Sequence, residues 1–270
     1  MLIALHARRS ADAVRAYREA YPDRPIVLAL TGTDLYQDIH TDRRAQQALE
    51  LASRLVVLQA LALRELPKHL HAKTRVILQS CVAPRTIFRP RDDVFEVCVL
   101  GHLRPVKDPF RTSRATRLLP VSSTIRVLQV GEALTPDMAR MARAEEARNP
   151  RYRWLGVLPR WRALRVLARC RLLVLTSRSE GGANVISEAL AVGVPVLSTD
   201  IPGSTGVLGP DYPGIFPFGD TKALAALLDR AETDPQFYST LKRHCERLRP
   251  LVQPARELHT WKSLLAELRP

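Results

Sequence analysis

The chain has 270 residues, 46% of them hydrophobic, which is enough for one large or two modest globular domains. No apolar run reaches the roughly 18 residues of a membrane span, and the N-terminal apolar run is followed by basic residues without a small-residue cleavage site, unlike a signal peptide. The formal net charge of +14 is spread along the whole chain without an RNA-binding aromatic motif or zinc-finger spacing, so a basic solvated surface accounts for it better than a nucleic-acid footprint.

In chain order, short apolar runs at 2–6, 25–30, 54–59 and 75–80 read as strands with helical segments between them. The first helix starts after Ser10, a suitable N-cap. Residues 83–93, rich in proline and charge, read as a connection between domains. Strands resume at 95–101, 124–131, 152–156, 171–177, 194–198 and 214–218. Helices fill the gaps near 108–119, 136–148, 160–169, 184–192 and 221–233, and two more follow at 235–248 and 255–268. Such alternation predicts parallel β-α units that bind ligands at the carboxyl ends of the strands.

The expected fold class is therefore α/β, with two Rossmann-like doubly wound domains facing a cleft. The first spans 1–90 on the acceptor side, the second spans 91–250 on the donor side, and 251–270 is a terminal helix that crosses back. Four strands are few for the first domain, and the expectation is that one or two β-α units precede Met1. Cys81, Cys98, Cys170 and Cys245 form no CxxC pair, which suits a reduced, cytoplasmic setting.

The chemistry gathers in RSEGGANVISEALAVG, residues 178–193. A buried strand ends at Ser177, a glycine loop follows, and a helix closes at Gly193. Gly181 and Gly182 permit close backbone approach, and the free amides at the helix start suit a diphosphate. Helical side chains lean toward the N-terminus, so Glu188, about one turn inside, points back toward Glu180. A carboxylate beside a diphosphate is repulsive unless it accepts sugar hydroxyls. Taken alone, two glutamates at this spacing are usually a dipole-favouring residue and a solvated one.

The order of motifs around them is more specific. The segment resembles the E-x7-E signature of family 4 GT-B glycosyltransferases, followed by that family's G-x-P-V strand, and the flanks at 155–177 and 203–228 resemble the family as well. The resemblance implies a nucleotide-sugar donor. Glu180 would meet the transferred sugar and Glu188 the ribose, with Gly181, Gly182, Ala183 and Asn184 around the diphosphate. In GHLRPVKDP (101–109), Gly101 and Lys107 match the family's diphosphate motif, whereas His102 stands where arginine is usual. Arg104 is the candidate for the missing fixed charge. Gly131 resembles the glycine turn lining the same cleft. No Asp-x-Asp occurs, so no metal and no cofactor beyond the UDP-sugar co-substrate are expected, and Glu180, Lys107 and Arg104 form the expected catalytic set.

The first-domain strand ends carry HARRS (6–10), TGTDLYQD (31–38), Gln59 and Gln79-Ser80. Thr31, Gly32, Thr33 and Asp34 suit a small polar or anionic acceptor, and helix capping by Thr33 or Asp34 suits them equally. Arg8 and Arg9 are read either as an anion clamp or as ordinary surface arginines. Segments across nearly the whole chain resemble the selenosugar synthases of selenoneine biosynthesis. That resemblance implies transfer from UDP-N-acetylglucosamine or UDP-glucose to selenophosphate with formation of a carbon–selenium bond. The implied partners are these small molecules, with no nucleic acid and no stable membrane insertion. The alternative is a peripheral membrane enzyme of the same family acting on a lipid or other hydroxyl acceptor.

Overall fold

The computed structural model describes residues 1–84, 86 and 88–268. These residues build two parallel sheets. The first contains β1 (Leu2–Leu5), β2 (Ile26–Ala29), β3 (Arg54–Val57) and β4 (Thr74–Val76), in that spatial order. The second contains β5 (Phe95–Leu100), β6 (Ile125–Val130), β7 (Tyr152–Trp154), β8 (Leu172–Leu175), β9 (Val196–Thr199) and β10 (Ile215–Phe216). Its spatial order is β10-β9-β8-β5-β6-β7, the doubly wound pattern whose direction reverses between the first and fourth strands. That reversal falls between β5 and β8, where Val97 pairs with Leu172 and Cys98 with Leu173. A crevice therefore opens where β5 and β8 end.

The strand sequences follow from their position. β2 (IVLA), β8 (LLVL) and β9 (VLST) are buried at every residue, as parallel strands covered on both faces must be. The largest apolar cluster surrounds the second sheet, and a second cluster joins β1–β3 to helices Ala11–Ala20 and Arg43–Leu51. The other face of the first sheet, with Val27, Ala29, Val56 and Ile77, is covered by Leu264 of the last helix, Pro254–Ala266. Glu267 fixes that helix to the sheet through Arg54 at 3.0 Å and Arg75 at 2.8 Å.

Several elements differ from the sequence expectation. Ser10 does not cap its helix: its hydroxyl donates to the Leu5 carbonyl at 2.6 Å. β4 ends at Val76; Ile77 N–H still donates to the Val57 carbonyl at 2.9 Å, and farther on Ser80 N–H donates to Glu257 and Cys81 N–H to the Val252 carbonyl. The helix expected at 108–119 is shortened to Arg111–Thr116, since Pro109 precedes it and Asp108 lies at φ 41°. The interval between the strands expected at 194–198 and 214–218 contains an additional helix, Pro202–Leu208, started by proline in its first turn. Gly193 ends helix Asn184–Val192 in the left-handed conformation, as expected. Among the described residues no helix is long and apolar enough to cross a membrane.

Candidate active site

The loops leaving β5, β6 and β8 meet at the switch point and are fastened to one another. Thr176, just past β8, donates its hydroxyl to the carbonyls of Lys107 and Asp108, both at 2.9 Å, and Arg178 N–H donates to the Val106 carbonyl at 2.8 Å. Glu132 N–H donates to His102 Nδ1 at 3.2 Å, which fixes the ring. Gly131 has φ 150°, and a Cβ there would lie 2.0 Å from the Gly101 carbonyl oxygen. Only glycine fits that approach.

Helix Asn184–Val192 points its N-terminus into this crevice. Ala183 N–H already has a partner, the Gly203 carbonyl at 3.4 Å, so this residue contributes no free amide. Among the described residues the amides of Gly181, Gly182, Asn184 and Val185 have no acceptor. Together with the positive end of the helix they form a site for an anion.

Charged side chains converge around that mouth. Lys107 and Glu180, 73 positions apart in the chain, form an ion pair in which both side chains are mostly buried. Glu188 is buried, and Arg160 donates to its Oε1 from both Nε and Nη2 at 3.3 Å. Burial pushes the Glu188 carboxyl above its ordinary value, and the charge and hydrogen bonds of Arg160 offset part of that rise. Arg104 is exposed at the edge of the same loop. Sequence reasoning missed Arg160, whose partner becomes apparent only in three dimensions. It also missed Gln129 and Ser177, whose buried oxygens have no partner and line a small cavity with Gly101, His102 and Lys107.

The residues that follow β2 and β3 face this loop directly. A Cβ on Gly181 would lie 2.2 Å from the Thr31 carbonyl oxygen, one on Gly182 would lie 2.5 Å from Leu58 Cβ, and one on Gly206 would lie 1.9 Å from Gln59 Oε1. The two halves thus meet at the loop that precedes helix Asn184–Val192. Gln59 donates to Tyr36 at 3.0 Å, and burial pushes the Tyr36 phenol up to about 12, so that hydroxyl stays protonated.

Not every expected acceptor residue faces the cleft. Asp34 is fully buried, and its carboxylate accepts the backbone N–H groups of Ala7, Thr31 and Gly32 at 2.8–2.9 Å. It ties the loops after β1 and β2 together and offers no oxygen to a ligand, which corrects the expectation of direct acceptor contact. Arg8 and Arg9 are both exposed, and Arg8 pairs with Asp38 at 3.4 Å and Asp42 at 3.0 Å. Thr31 and Thr33 are exposed, and Thr33 Oγ1 lies 3.0 Å from His6 Nε2. His6 ends β1 at φ 71° and is buried, with Asp38 at 3.8 Å. A positive φ is uncommon for a non-glycine residue, and the sequence carried no sign of it.

Two parallel α/β units with a crevice at the switch point define the GT-B class. Residues 85–247, more than half of the chain, match the family described as glycosyl transferases group 1, and the protein belongs to that family. Among solved structures it is similar to HepE from Anabaena in complex with UDP and glucose, with a TM-score of 0.79 at 18% identity over 99% of this chain and 78% of that one. It is also similar to sucrose-phosphate synthase from Thermosynechococcus elongatus, with a TM-score of 0.77 at 19% identity over 98% of this chain and 74% of the other. A trehalose-6-phosphate protein from E. coli bound with UDP-2-fluoro glucose gives a TM-score of 0.79 at 13% identity, covering 99% and 72%. At these identities the likeness is one of fold.

Proposed function

We propose that the protein transfers a sugar from UDP-N-acetylglucosamine or UDP-glucose to selenophosphate, joining the anomeric carbon to selenium. The observation that carries the donor half is the mouth of helix Asn184–Val192: unpaired amides flanked by Lys107 and two carboxylates, Glu180 and Glu188. HepE, similar in fold, is a complex with UDP and glucose, which supports the same donor class here. The donor diphosphate takes the amides and Lys107, the ribose diol takes Glu188, and the hexose hydroxyls take Glu180. Lys107 and Glu180 must first release each other, so donor binding exchanges one ion pair for two ligand contacts.

In the transfer step the bond from the anomeric carbon to the diphosphate oxygen breaks, and that oxygen leaves with the electron pair. Selenium supplies the pair for the new bond. Charge growing on the leaving diphosphate is met by Lys107, Arg104 and the helix amides, with no metal ion or cofactor in the proposed scheme. Selenium is already nucleophilic and needs little help from a general base. Thr31, Gly32, Thr33, Arg8 and Arg9 stand on the acceptor side of the cleft, with Arg9 exposed to meet an anion. The acceptor assignment draws on the sequence resemblance to selenosugar synthases.

Mass spectrometry of the purified protein with each UDP-sugar and selenophosphate tests this reading. A selenosugar together with released UDP is expected. UDP release with a hydroxyl acceptor but none with selenophosphate would reassign the acceptor to the lipid or hydroxyl class.

A further inference from the structure

We propose that Arg160 is a positioning residue for the donor: it engages one oxygen of Glu188, presents the other to the ribose, and so sets a preference for ribonucleotide over 2′-deoxyribonucleotide donors. The inference rests on the donor reading of Glu188 given above.

Arg160 is the first residue of helix Arg160–Arg169, after Pro159, whose carbonyl accepts Arg162 N–H at 2.8 Å. Its stem therefore leaves a fixed backbone. Both Nε and Nη2 converge on Glu188 Oε1 at 3.3 Å, which a single ammonium cannot reproduce in the same plane. Among the described residues Glu188 Oε2 has no partner and is the oxygen left for a ligand.

The guanidinium has a second neighbour at the same nitrogen. Arg160 Nη2 lies 3.7 Å from Cys81 Sγ, and Cys81 is held by its own N–H to the Val252 carbonyl at 3.1 Å. The fork is thus set between the segment joining the two sheets and the donor helix. Exposed ion pairs are ordinarily weak, but only the arginine end reaches solvent here: side-chain exposure is 60% for Arg160 and 9% for Glu188. The titratable groups bearing on Glu188 among the described residues are Arg160 and Cys81, while Lys107 is engaged with Glu180.

A carboxylate with one oxygen tethered offers a directed acceptor to a ribose diol, and a 2′-deoxyribose forfeits one of the two donors. The test compares UDP and 2′-deoxy-UDP binding by titration calorimetry in the wild type, Arg160→Met and Arg160→Lys, with pH profiles of donor hydrolysis or transfer. Arg160→Met is expected to weaken UDP about tenfold, the scale of a hydrogen bond to a charged group, and to bring the UDP to 2′-deoxy-UDP ratio toward parity. The donor KM rises while kcat at saturation holds, and the acid limb of kcat/KM moves to higher pH because Glu188 loses the neighbouring cation. Arg160→Lys restores the pH limb but not the full ratio.

An unchanged ratio and an unchanged acid limb in a folded Arg160→Met protein overturn the proposal. Arg160→Gln, read the same way, replaces it should the methionine variant fail to fold. Glu188→Gln separates the two levels of the argument. If UDP affinity is unchanged in Glu188→Gln, the donor reading fails; if it is weakened there but unchanged in Arg160→Met, only the role of Arg160 fails.

Discussion

Gly181→Ala probes the contact between the two halves of the molecule. The added methyl would sit 2.2 Å from the Thr31 carbonyl oxygen, 2.5 Å from its carbon and 2.8 Å from Gly32 Cα. Ordinary contact begins at about 3.5 Å, so the loop or the turn must retreat by about 1 Å. Gly181 does not lie at positive φ, and the substitution therefore strains no backbone of its own. The cost is overpacking against rigid main chain, about 1–3 kcal/mol, and it falls on the contact between the two halves. At about 1.4 kcal/mol per factor of ten, the arrangement in which they touch becomes roughly 5- to 150-fold less favoured. Steady-state assay of UDP release should show kcat/KM reduced within that range, while the melting temperature barely moves because neither sheet's core is touched. Gly206→Ala probes the same face at a side chain instead of main chain: its methyl would lie 1.9 Å from Gln59 Oε1 and 2.6 Å from its Cδ, and because Gln59 is buried and donates to Tyr36, a loss of activity is expected there too. Wild-type activity in Gly181→Ala, or a collapse of global stability with unchanged activity per folded molecule, would refute the reasoning.

Three further outcomes follow from the same geometry. Asp34→Asn replaces a carboxylate that accepts three backbone N–H groups with an amide whose NH2 faces a donor; urea denaturation should show a loss of about 2–3 kcal/mol, and a change confined to acceptor KM would contradict the structural role. At Glu145 burial pushes the carboxyl up, but hydrogen bonds from Arg148 and Asn149 and the charge of Arg117 bring it below its ordinary value. Its contribution is therefore present above the unfolded pKa and lost as pH falls through the folded one; Glu145→Ala should cost about 1–3 kcal/mol at neutral pH, and less under acid. Glu188 has the opposite sign, because its raised folded pKa makes ionisation a cost to the empty protein above that pKa. Glu188→Gln should melt higher than the wild type at neutral pH, with the gain shrinking as pH falls, as scanning calorimetry of the empty protein would show.

The strands were legible because they are buried on both faces, so LLVL and IVLA read as unbroken apolar runs. The helix Asn184–Val192 was legible at both ends, from the glycine loop before it to Gly193 after it. Helix Pro202–Leu208 was not, since Gly203 and Gly206 argue against a helix. Those glycines answer a tertiary demand: Gly203 packs on the Glu180 backbone and Gly206 on Gln59. The carboxylates of the site were visible, but their partners were not. The Lys107–Glu180 pair spans 73 positions and the Arg160–Glu188 pair 28, and no local pattern encodes either. Asp34 misled for a related reason. Its neighbours in sequence suggested a ligand turn, while its contact with Ala7, 27 positions away, makes it a loop tie.

The central claim is that a uridine diphosphate sugar binds at the mouth of helix Asn184–Val192. Titration calorimetry of UDP against the wild type, Glu188→Gln and Lys107→Ala tests it most directly. The account predicts saturable 1:1 binding by the wild type, weakened at least about tenfold in each variant, since each removes one charge-assisted contact. Equal affinity in all three proteins, or no UDP binding by the folded wild type, would contradict it.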